Sequence, residues 1–500
     1  MYQNFLHLQP VQRHGDSTGK PHAMKQLLLA LLVVITALPA TAQERDLPSI
    51  GGFGGGLISD QLEADIGRQV MGSLRRSAPR IADPLVVDYL STIVYRLLPS
   101  VSLADRNLTL VVIDSPDLNA FAVPGNIVGV NGGLFLNANS EQQFASVIAH
   151  ELAHLSQRHF ARRLEQQETS APLTLAGMIA GIVLSAVTQS DIGIAAIAGT
   201  QALAVQNMLQ YSRSHEQEAD RVGLDILAES GLEPRGMPEM FEIMMRQNRL
   251  QGNHVPEYLS THPLTQSRVS DTRSRAEQYP EQSVEDGLEY HLVRARLQVH
   301  YARSPQEAET VFRSALERAE NKDNEAIRYG MAYARLEAGQ AAEAEAVLRE
   351  LLASQPGRIT YQVTLAEALI ARDKHAEARS LLTAALDRNP GNYPITDTLA
   401  RLEIAAGNGT RAADYLSGLT RDYPQRDDLW LRLAEAEGMA RDIVGVHRAR
   451  AEYDILLGDL EAAQRQLRQA QEKIPPGAPL RQVVTERLSE VSGQLAQQNR

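Results

Sequence analysis

The chain has 500 residues, enough for two or three domains with hydrophobic cores, and its net charge of −12 argues against nucleic-acid binding. It contains no cysteine, which excludes disulfide bonds, cysteine catalysis and thiolate metal sites. Aromatic residues make up only 5% of the chain, and abundant Ala, Leu, Arg and Glu favour a mainly helical architecture.

An export signal is predicted within residues 1–42. Met24-Lys25 supplies a short positive segment, residues 27–38 are apolar, and Ala40-Thr41-Ala42 matches a signal-peptidase site. We expect cleavage after Ala42 and, in a Gram-negative host, a periplasmic mature protein. Residues 1–23 are either a long polar start of the signal or an extension from a wrongly chosen start codon, and their lack of structural pattern favours the extension.

Two helices and a small sheet are predicted next. The spacing of apolar residues is helical over 59–77 and 83–98, whereas residues 108–113 form a strand-like apolar run. Residues 120–123 and 127–130, joined by a Pro-Gly-Asn turn, predict a β-hairpin.

The segment His150-Glu151-Leu152-Ala153-His154 lies on the following predicted helix, which begins at the capping box Ser140-x-x-Gln143. Two histidines one turn apart on one helical face can bind the same metal ion. Glu151 lies beside them, where it can take a proton from water at that metal. The predicted buried side of the helix comprises Phe144, Val147, Ile148, Leu152 and Leu155.

Two apolar segments rich in Ala and Gly follow at residues 173–187 and 192–208. Each is short for a membrane-spanning helix. We therefore expect a helical hairpin packed on the catalytic domain, with peripheral membrane contact as the alternative.

A catalytic zinc needs a third protein ligand, and Glu216 is the best candidate. Asp220 lies one turn further along the same predicted helix, where its carboxylate can accept a hydrogen bond from a ligating histidine. Glu218 lies on another face of that helix and is expected to be solvated. His215 is a rival ligand, but its position directs it away from Asp220.

His262 precedes Pro263, which places it in extended or turn backbone rather than within a helix. Its side chain either donates a hydrogen bond to a developing oxyanion or binds the metal as a fourth, inhibitory ligand, and a plain surface histidine is the alternative. His159 rotates off the metal face and is interpreted as structural. His254 has no assigned role.

The carboxy-terminal part is repetitive, since Pro356, Pro390 and Pro424 lie 34 residues apart. Small or apolar residues recur at three positions before each proline: Ala332, Ala366 and Ala400; Ala344, Ala378 and Ala412; Leu348, Leu382 and Leu416. This pattern is typical of tetratricopeptide repeats, in which small residues allow two helices to approach closely. A degenerate first unit is expected around Ala308, Phe312 and Ala315. A further unit, displaced by an extra helix, is expected at Ala451, Ala463, Leu467, Ala470 and Pro475.

These motifs together resemble a known family. The HExxH segment, Glu216-x-x-Ala219-Asp220 and Thr261-His262-Pro263 are similar to the zinc metallopeptidases that include HtpX and the CAAX prenyl protease. With the export signal and the repeats, the chain resembles the exported members of this family that act in outer-membrane β-barrel assembly. The resemblance covers nearly all of the mature chain.

The resemblance implies one Zn²⁺ per chain, bound by His150, His154 and Glu216, with Glu151 as catalytic base. Asp220 would orient a ligating histidine, and His262 would regulate or assist the site. Residues 119–131 resemble the edge strand to which an extended substrate adds by backbone pairing. Unfolded or misfolded outer-membrane and periplasmic proteins are the implied substrates, and the β-barrel assembly machinery is the implied partner.

We therefore expect a mainly α protein with a small β-sheet in its catalytic domain. A gluzincin-type zinc metallopeptidase domain at residues 43–285 would be followed by an α-solenoid of tetratricopeptide repeats at 286–500. The predicted function is a zinc endopeptidase of protein quality control. The competing function is a chaperone or scaffold whose protease site is largely shut, with the repeats supplying the main binding surface.

Overall fold

The structure is a computed structural model that describes residues 59–166, 212–250, 257–282, 287–318 and 324–498. The predicted signal segment and the apolar segments 173–187 and 192–208 lie outside these residues. Within the described part of the chain, none of the helices is both long and apolar enough to cross a bilayer.

The first two helices agree closely with the predicted ones. Helix α1 (Asp60–Ser77) begins after Ser59, whose hydroxyl accepts a hydrogen bond from the backbone N–H of Leu62. Helix α2 (Pro84–Leu97) begins after Asp83, whose carboxylate accepts from the backbone N–H groups of the first turn. The apolar face of α2 is buried in the main core of the catalytic half.

A three-stranded sheet follows, formed by β1 (Thr109–Ile113), β2 (Ala120–Val123) and β3 (Ile127–Asn131). The predicted hairpin is present, because β2 pairs antiparallel with β3. Strand β1 adds to β3 in parallel, so β3 is the central strand. The expectation of one edge strand over residues 119–131 was therefore wrong in part, because that range holds a central strand as well as the edge strand β2.

Short and medium helices complete the catalytic half: α3 (Gly132–Asn137), α4 (Glu141–Ser156), α5 (His159–Gln166), α6 (Arg213–Glu229), α7 (Gly236–Leu250), α8 (Glu257–Thr261) and α9 (Gln266–Ala276). Helix α4 carries the HExxH segment and is buried around nearly its whole circumference. The sequence predicted burial of one side of this helix only, whereas residues on the other sides are buried as well. Helices α6 and α7 pack against it within the same core.

Close approach of α4 and α6 depends on Gly223. A side-chain carbon at this position would lie 3.4 Å from the backbone nitrogen of His150 and 2.9 Å from the Met237 side chain. Glycine therefore allows the two helices to lie close enough for short side chains to meet between them.

The remaining helices are antiparallel pairs: α10 (Leu288–His300), α11 (Pro305–Arg318), α12 (Glu325–Glu337), α13 (Ala341–Ser354), α14 (Ile359–Ile370), α15 (His375–Arg388), α16 (Tyr393–Ala405), α17 (Gly409–Asp422), α18 (Asp427–Met439), α19 (Ile443–Leu457), α20 (Leu460–Lys473) and α21 (Pro479–Gln498). The nine small or apolar residues that define the three repeats are all fully buried, as the pattern predicts. The fold is therefore the mainly helical one with a small sheet that the sequence indicated.

A left-handed turn residue separates the two helices of each repeat. Gly339, Asp373, Gly407 and Arg441 have φ between 58° and 78° and lie 34 residues apart. The period thus continues into α18 and α19, beyond the last of the three prolines that revealed it. Three helices lie between Pro424 and Pro475, which agrees with the extra helix expected from their separation.

Helix α10 belongs to both halves of the chain. Its Tyr290, Val293 and Leu297 pack in the catalytic core, and its Leu292 and Val299 pack in the core of the repeats. The predicted boundary at residues 285 and 286 lies just before this shared helix.

Buried ion pairs hold the two halves together. The Arg296 guanidinium on α10 binds Asp83 of the catalytic half at 2.7 Å and Glu367 of the repeats at 3.1 Å. Further along the array, Asp427 at the start of α18 binds Arg80 at 2.6 Å and lies 3.5 Å from Arg75. The repeats are therefore docked on the catalytic half at two separate places.

Asp88 provides a pH-dependent test of this junction. Burial, and then the negative charge of Glu289, raise the pKa of its carboxyl to about 6. Because the folded-state pKa lies above the ordinary value of 3.8, the stability contribution is fully present below pH 3.8 and is lost as pH rises through 6. We expect Asp88→Asn to raise the free energy of unfolding at pH 8 and to change it little at pH 3, measured by urea unfolding. The exposed Asp387→Asn is the control, and an equal gain at both pH values would contradict the prediction.

Candidate metal centre

The predicted site residues on α4 and α6 meet in the interior. His150, Glu151, His154, Glu216 and Asp220 are each only 1–2% exposed. The two histidines project from one face of α4, and the two acidic residues project from the facing turn of α6. Charged groups at this depth need compensating partners.

Four of these buried groups could hold a metal ion. Ligand atoms of His150, His154, Glu216 and His262 all lie within 4.8 Å of one another. The Nε2 atoms of His150 and His154 are 3.0 Å apart. The Glu216 carboxylate oxygens lie 3.6 Å and 3.4 Å from these two nitrogens.

These separations suit tetrahedral coordination. Ligand atoms that are each about 2.0–2.1 Å from a central zinc-sized ion lie roughly 3.3 Å apart. The three separations among His150, His154 and Glu216 bracket this value. The donor set of two imidazoles and a carboxylate therefore fits a metal in both chemistry and spacing.

Asp220 lies behind His150. Its Oδ1 is 3.1 Å from Nδ1 of His150, the ring nitrogen that faces away from the ligand cluster. Arg268, to which no sequence motif assigns a role, binds Asp220 through two hydrogen bonds of 2.7 Å and approaches Glu216 at 2.6 Å. Arg268 is itself 4% exposed. It is therefore the buried cation that accompanies these two carboxylates.

Glu151 points into the site without a hydrogen-bond partner for either carboxylate oxygen among the described residues. A buried carboxylate without donors is costly, so this space suits water or a polar substrate group. Nε2 of His262 lies 3.6 Å from Oε1 of Glu151.

His262 is the first residue after helix α8, and its backbone N–H bonds to Tyr258 in the last turn of that helix. Its Nδ1 lies 3.0 Å from Oε1 of Glu216, and its ring stacks on the Tyr258 ring at 4.6 Å. The surface alternative for His262 was wrong, because the residue is 2% exposed and lies within the ligand cluster.

The other side of the cluster contains two residues whose contacts the sequence did not reveal. Nδ1 of His159 lies 2.9 Å from Nδ1 of His154, and Nε2 of His159 lies 3.2 Å from Glu218. Glu218 also accepts hydrogen bonds from Arg162 at 3.1 Å and 3.2 Å. His215, the rival ligand, stacks on His159 at 4.5 Å and is not part of the cluster.

His159 lies behind His154 and outside the group of possible metal ligands, which agrees with its expected place off the metal face. Helix α4 ends at Ser156, and Arg158 adopts φ of 49°, so His159 begins a new helix instead of continuing the old one. Neither glycine nor proline marks this break, so helical spacing from His154 could not predict the contact between the two rings. Glu218 was expected to be solvated, but its contact with His159 makes it half-buried.

The pKa values of the two histidines of the HExxH segment, His150 and His154, shift in opposite directions. Burial would lower the pKa of His150, but Asp220 and Glu216 outweigh burial and raise it to about 9. Burial holds the pKa of His154 well below its usual value. For Glu216, burial acts to raise the pKa, yet His262, His150 and His154 hold it well below the usual range. Glu216 is thus ionised and available as a ligand.

Comparison with known proteins agrees with this division of the chain. Residues 84–276 match Peptidase family M48, and residues 301–368 and 369–437 match tetratricopeptide repeats. All of the candidate site residues fall within the first match.

Curated relatives resemble most of the chain. The beta-barrel assembly-enhancing protease of Escherichia coli K12 is 32% identical over 90% of this chain and 92% of its own length. A putative beta-barrel assembly-enhancing protease of Vibrio cholerae is 37% identical over 67% of this chain and 69% of its own length. The mitochondrial metalloendopeptidase OMA1 of Arabidopsis thaliana is 33% identical over 32% of this chain and 30% of its own length.

Replacing Arg268 tests its role as the buried cation. Arg268→Met leaves Asp220 and Glu216 buried without it, which should cost about 3–5 kcal/mol of unfolding free energy in the metal-free protein. Urea unfolding after chelator treatment measures the loss. The matched control is Arg275→Met on the same helix, whose exposed pair with Asp271 contributes about 1 kcal/mol or less. Equal losses in the two variants would contradict the assignment.

Proposed function

The chain belongs to the β-barrel assembly-enhancing protease family of metalloproteases, with an M48 peptidase domain and tetratricopeptide repeats, and we propose that it is an exported zinc endopeptidase of protein quality control. It degrades misfolded or stalled outer-membrane and periplasmic proteins and assists β-barrel assembly through its repeats. The observation that carries the proposal is Glu151, a buried carboxylate without hydrogen-bond donors beside three metal-binding groups at tetrahedral spacing.

We assign His150, His154 and Glu216 as the ligands of one Zn²⁺ per chain. Two imidazoles with a carboxylate, and no thiolate, form a donor set that catalytic zinc prefers. When bound, zinc polarises the scissile carbonyl and makes water more acidic. The Asp220 carboxylate lies 3.1 Å from Nδ1 of His150, where its charge favours the proton on that nitrogen and leaves the Nε2 lone pair free for the metal.

Glu151 acts as the general base and then as the general acid. It takes a proton from the attacking water and delivers it to the leaving amine of the substrate. Its position beside both motif histidines, and the lack of competing donors, support this role.

His262 has two roles that the geometry supports about equally. Its ring contacts both Glu216 and Glu151, so it can occupy a fourth ligand position and keep the site shut. The same position near Glu151 suits a donor to the oxyanion that forms during attack. The place of His262 among the groups that could hold a metal is the observation that favours the second candidate function, a chaperone or scaffold with a self-inhibited protease site.

Strand β2 is the proposed binding edge for an extended substrate. It lies against α4 and has β3 on one side only, in the sheet that the structure describes. Because Asn119 accepts a hydrogen bond from Asn131 of β3, alternation along the strand directs the backbone groups of Ala120 and Ala122 away from β3. Pairing along such an edge requires an extended chain, so unfolded proteins are the natural substrates.

Partners and location follow from the relatives by resemblance. The names of these relatives assign them to β-barrel assembly, and we propose the outer-membrane β-barrel assembly machinery as the partner of the repeats. In this proposal the mature protein works in the periplasm after export by the segment that ends at Ala42. Stacked helix pairs offer concave surfaces for such contacts.

Glu151→Gln tests the proposed hydrolysis. Because the amide cannot accept the proton from water, cleavage of an unfolded substrate should fall roughly 10²–10⁴-fold while zinc content and substrate binding persist. Cleavage is followed by gel electrophoresis and zinc by atomic emission. The control is the exposed Glu229→Gln, which should cleave normally. A Glu151→Gln protein that is fully functional in a barrel-assembly assay would instead favour the chaperone function.

His262→Ala separates the two roles of this residue. If His262 shuts the site, its removal should raise the rate of cleavage, about tenfold if the shut form is favoured by about 1.4 kcal/mol. If His262 donates to the oxyanion, the rate should instead fall roughly 10²–10³-fold. Initial rates at saturating substrate, with zinc content held equal, decide between the two.

A further inference from the structure

On the side away from the metal site, the Nδ1 atoms of His150 and His154 contact different groups. Behind His150, the carboxylate of Asp220 lies directly against Nδ1. Behind His154, another histidine, His159, occupies the corresponding place, and the carboxylate of Glu218 lies one step further out. Arg268 binds the carboxylate of Asp220, and Arg162 binds that of Glu218. The second arrangement therefore repeats the first, with the imidazole of His159 inserted between histidine and carboxylate.

The hydrogen bonds allow one assignment of protons when His154 binds a metal. Its Nε2, which faces His150 and Glu216, must then be unprotonated, so the proton lies on Nδ1. That proton is donated to Nδ1 of His159 across 2.9 Å. His159 therefore carries its own proton on Nε2 and donates it to Glu218 across 3.2 Å.

Packing holds the inserted imidazole in place. His159 is fully buried, and the ring of His215 lies parallel to it, 13° from coplanar. The left-handed residue Arg158 directs the chain back toward His154, so His159 begins helix α5 behind that ring, on the side away from the metal site. Both ring nitrogens of His159 consequently have fixed partners.

We propose that Glu218, acting through His159, is the positioning pair that fixes the tautomer and ring orientation of His154 for zinc. This inference rests on the zinc ligation proposed above. The inserted imidazole also has an energetic consequence, because it lets the second carboxylate lie at the half-exposed rim, where Arg162 and solvent share its charge. A carboxylate placed directly on His154 would add another negative charge to the interior.

Zinc affinity tests the proposal independently of catalysis. The full-length mature protein is stripped of metal, and its zinc dissociation constant is measured by competition with a chromophoric chelator at constant pH. Loss of a partner behind a metal-binding histidine typically weakens binding 10–100-fold. We expect Glu218→Gln to weaken zinc binding about tenfold, and His159→Phe, which removes both hydrogen bonds, to weaken it more.

A conservative variant distinguishes positioning from simple packing. The amide of His159→Gln can accept from His154 and donate to Glu218, so it should restore zinc affinity to within about threefold of the wild type. His159→Phe keeps an aromatic ring at this position but can neither accept from His154 nor donate to Glu218. The exposed Glu229→Gln on the same helix is the matched control and should bind zinc as the wild type does. Thermal unfolding of each metal-free variant checks that folding is unchanged.

The outcomes separate this inference from the function on which it rests. A wild-type chain that binds no zinc would overturn the proposed metal site and the positioning pair together. Wild-type zinc binding with equal affinity in Glu218→Gln would overturn the positioning pair alone. If His159→Phe lowers the stability of the metal-free protein, the zinc affinity of Glu218→Gln still tests the proposal. The Glu218 side chain is partly exposed, so its replacement disturbs the core less.

Discussion

Burial of charge between α4 and α6 is the constraint on which the catalytic half depends. Glu151, Glu216 and Asp220 are each 1% exposed, and the Arg268 guanidinium binds Glu216 and Asp220. One guanidinium balances one of three carboxylates, which leaves two negative charges in a region of low dielectric constant. A divalent cation would match that remainder. In the metal-free chain, the raised pKa of His150 supplies part of the missing charge as a proton.

The same constraint explains which site residues could be predicted from the sequence. His150, Glu151 and His154 lie within one helical turn of each other, and Glu216 and Asp220 are likewise one turn apart, so helical spacing alone places each group on one face. Gly223 then lets the two faces meet. Arg268 and Glu218 could not be assigned in this way. Their partners lie 48 and 59 residues away along the chain, and only the packing of separate helices brings them together.

The repeats show a similar division between local pattern and tertiary contact. Recurring alanines and prolines reveal three helix pairs because each pair meets the same local packing requirement. The period persists to Arg441, where the proline signal has ended but the left-handed turn remains. The docking of the array was not predictable, because it depends on Arg296 and Asp427, single residues outside any repeat pattern. Since α10 packs in both cores, movement of the repeats is mechanically connected to the catalytic core.

The connection between the ligand cluster and substrate entry passes through His262. Its ring lies against Glu216 and Glu151, so a carbonyl approaching Glu151 must compete with it for the same space. Helix α8, which carries the Tyr258 ring stacked on His262, is five residues long, and a helix of that length has little stability of its own. Its position therefore depends on its tertiary contacts, which comprise the stack on His262 and the burial of Tyr258 and Leu259 in the catalytic core. Movement of α8 would expose these two buried side chains, so the core that holds the HExxH helix also holds His262 against Glu216 and Glu151.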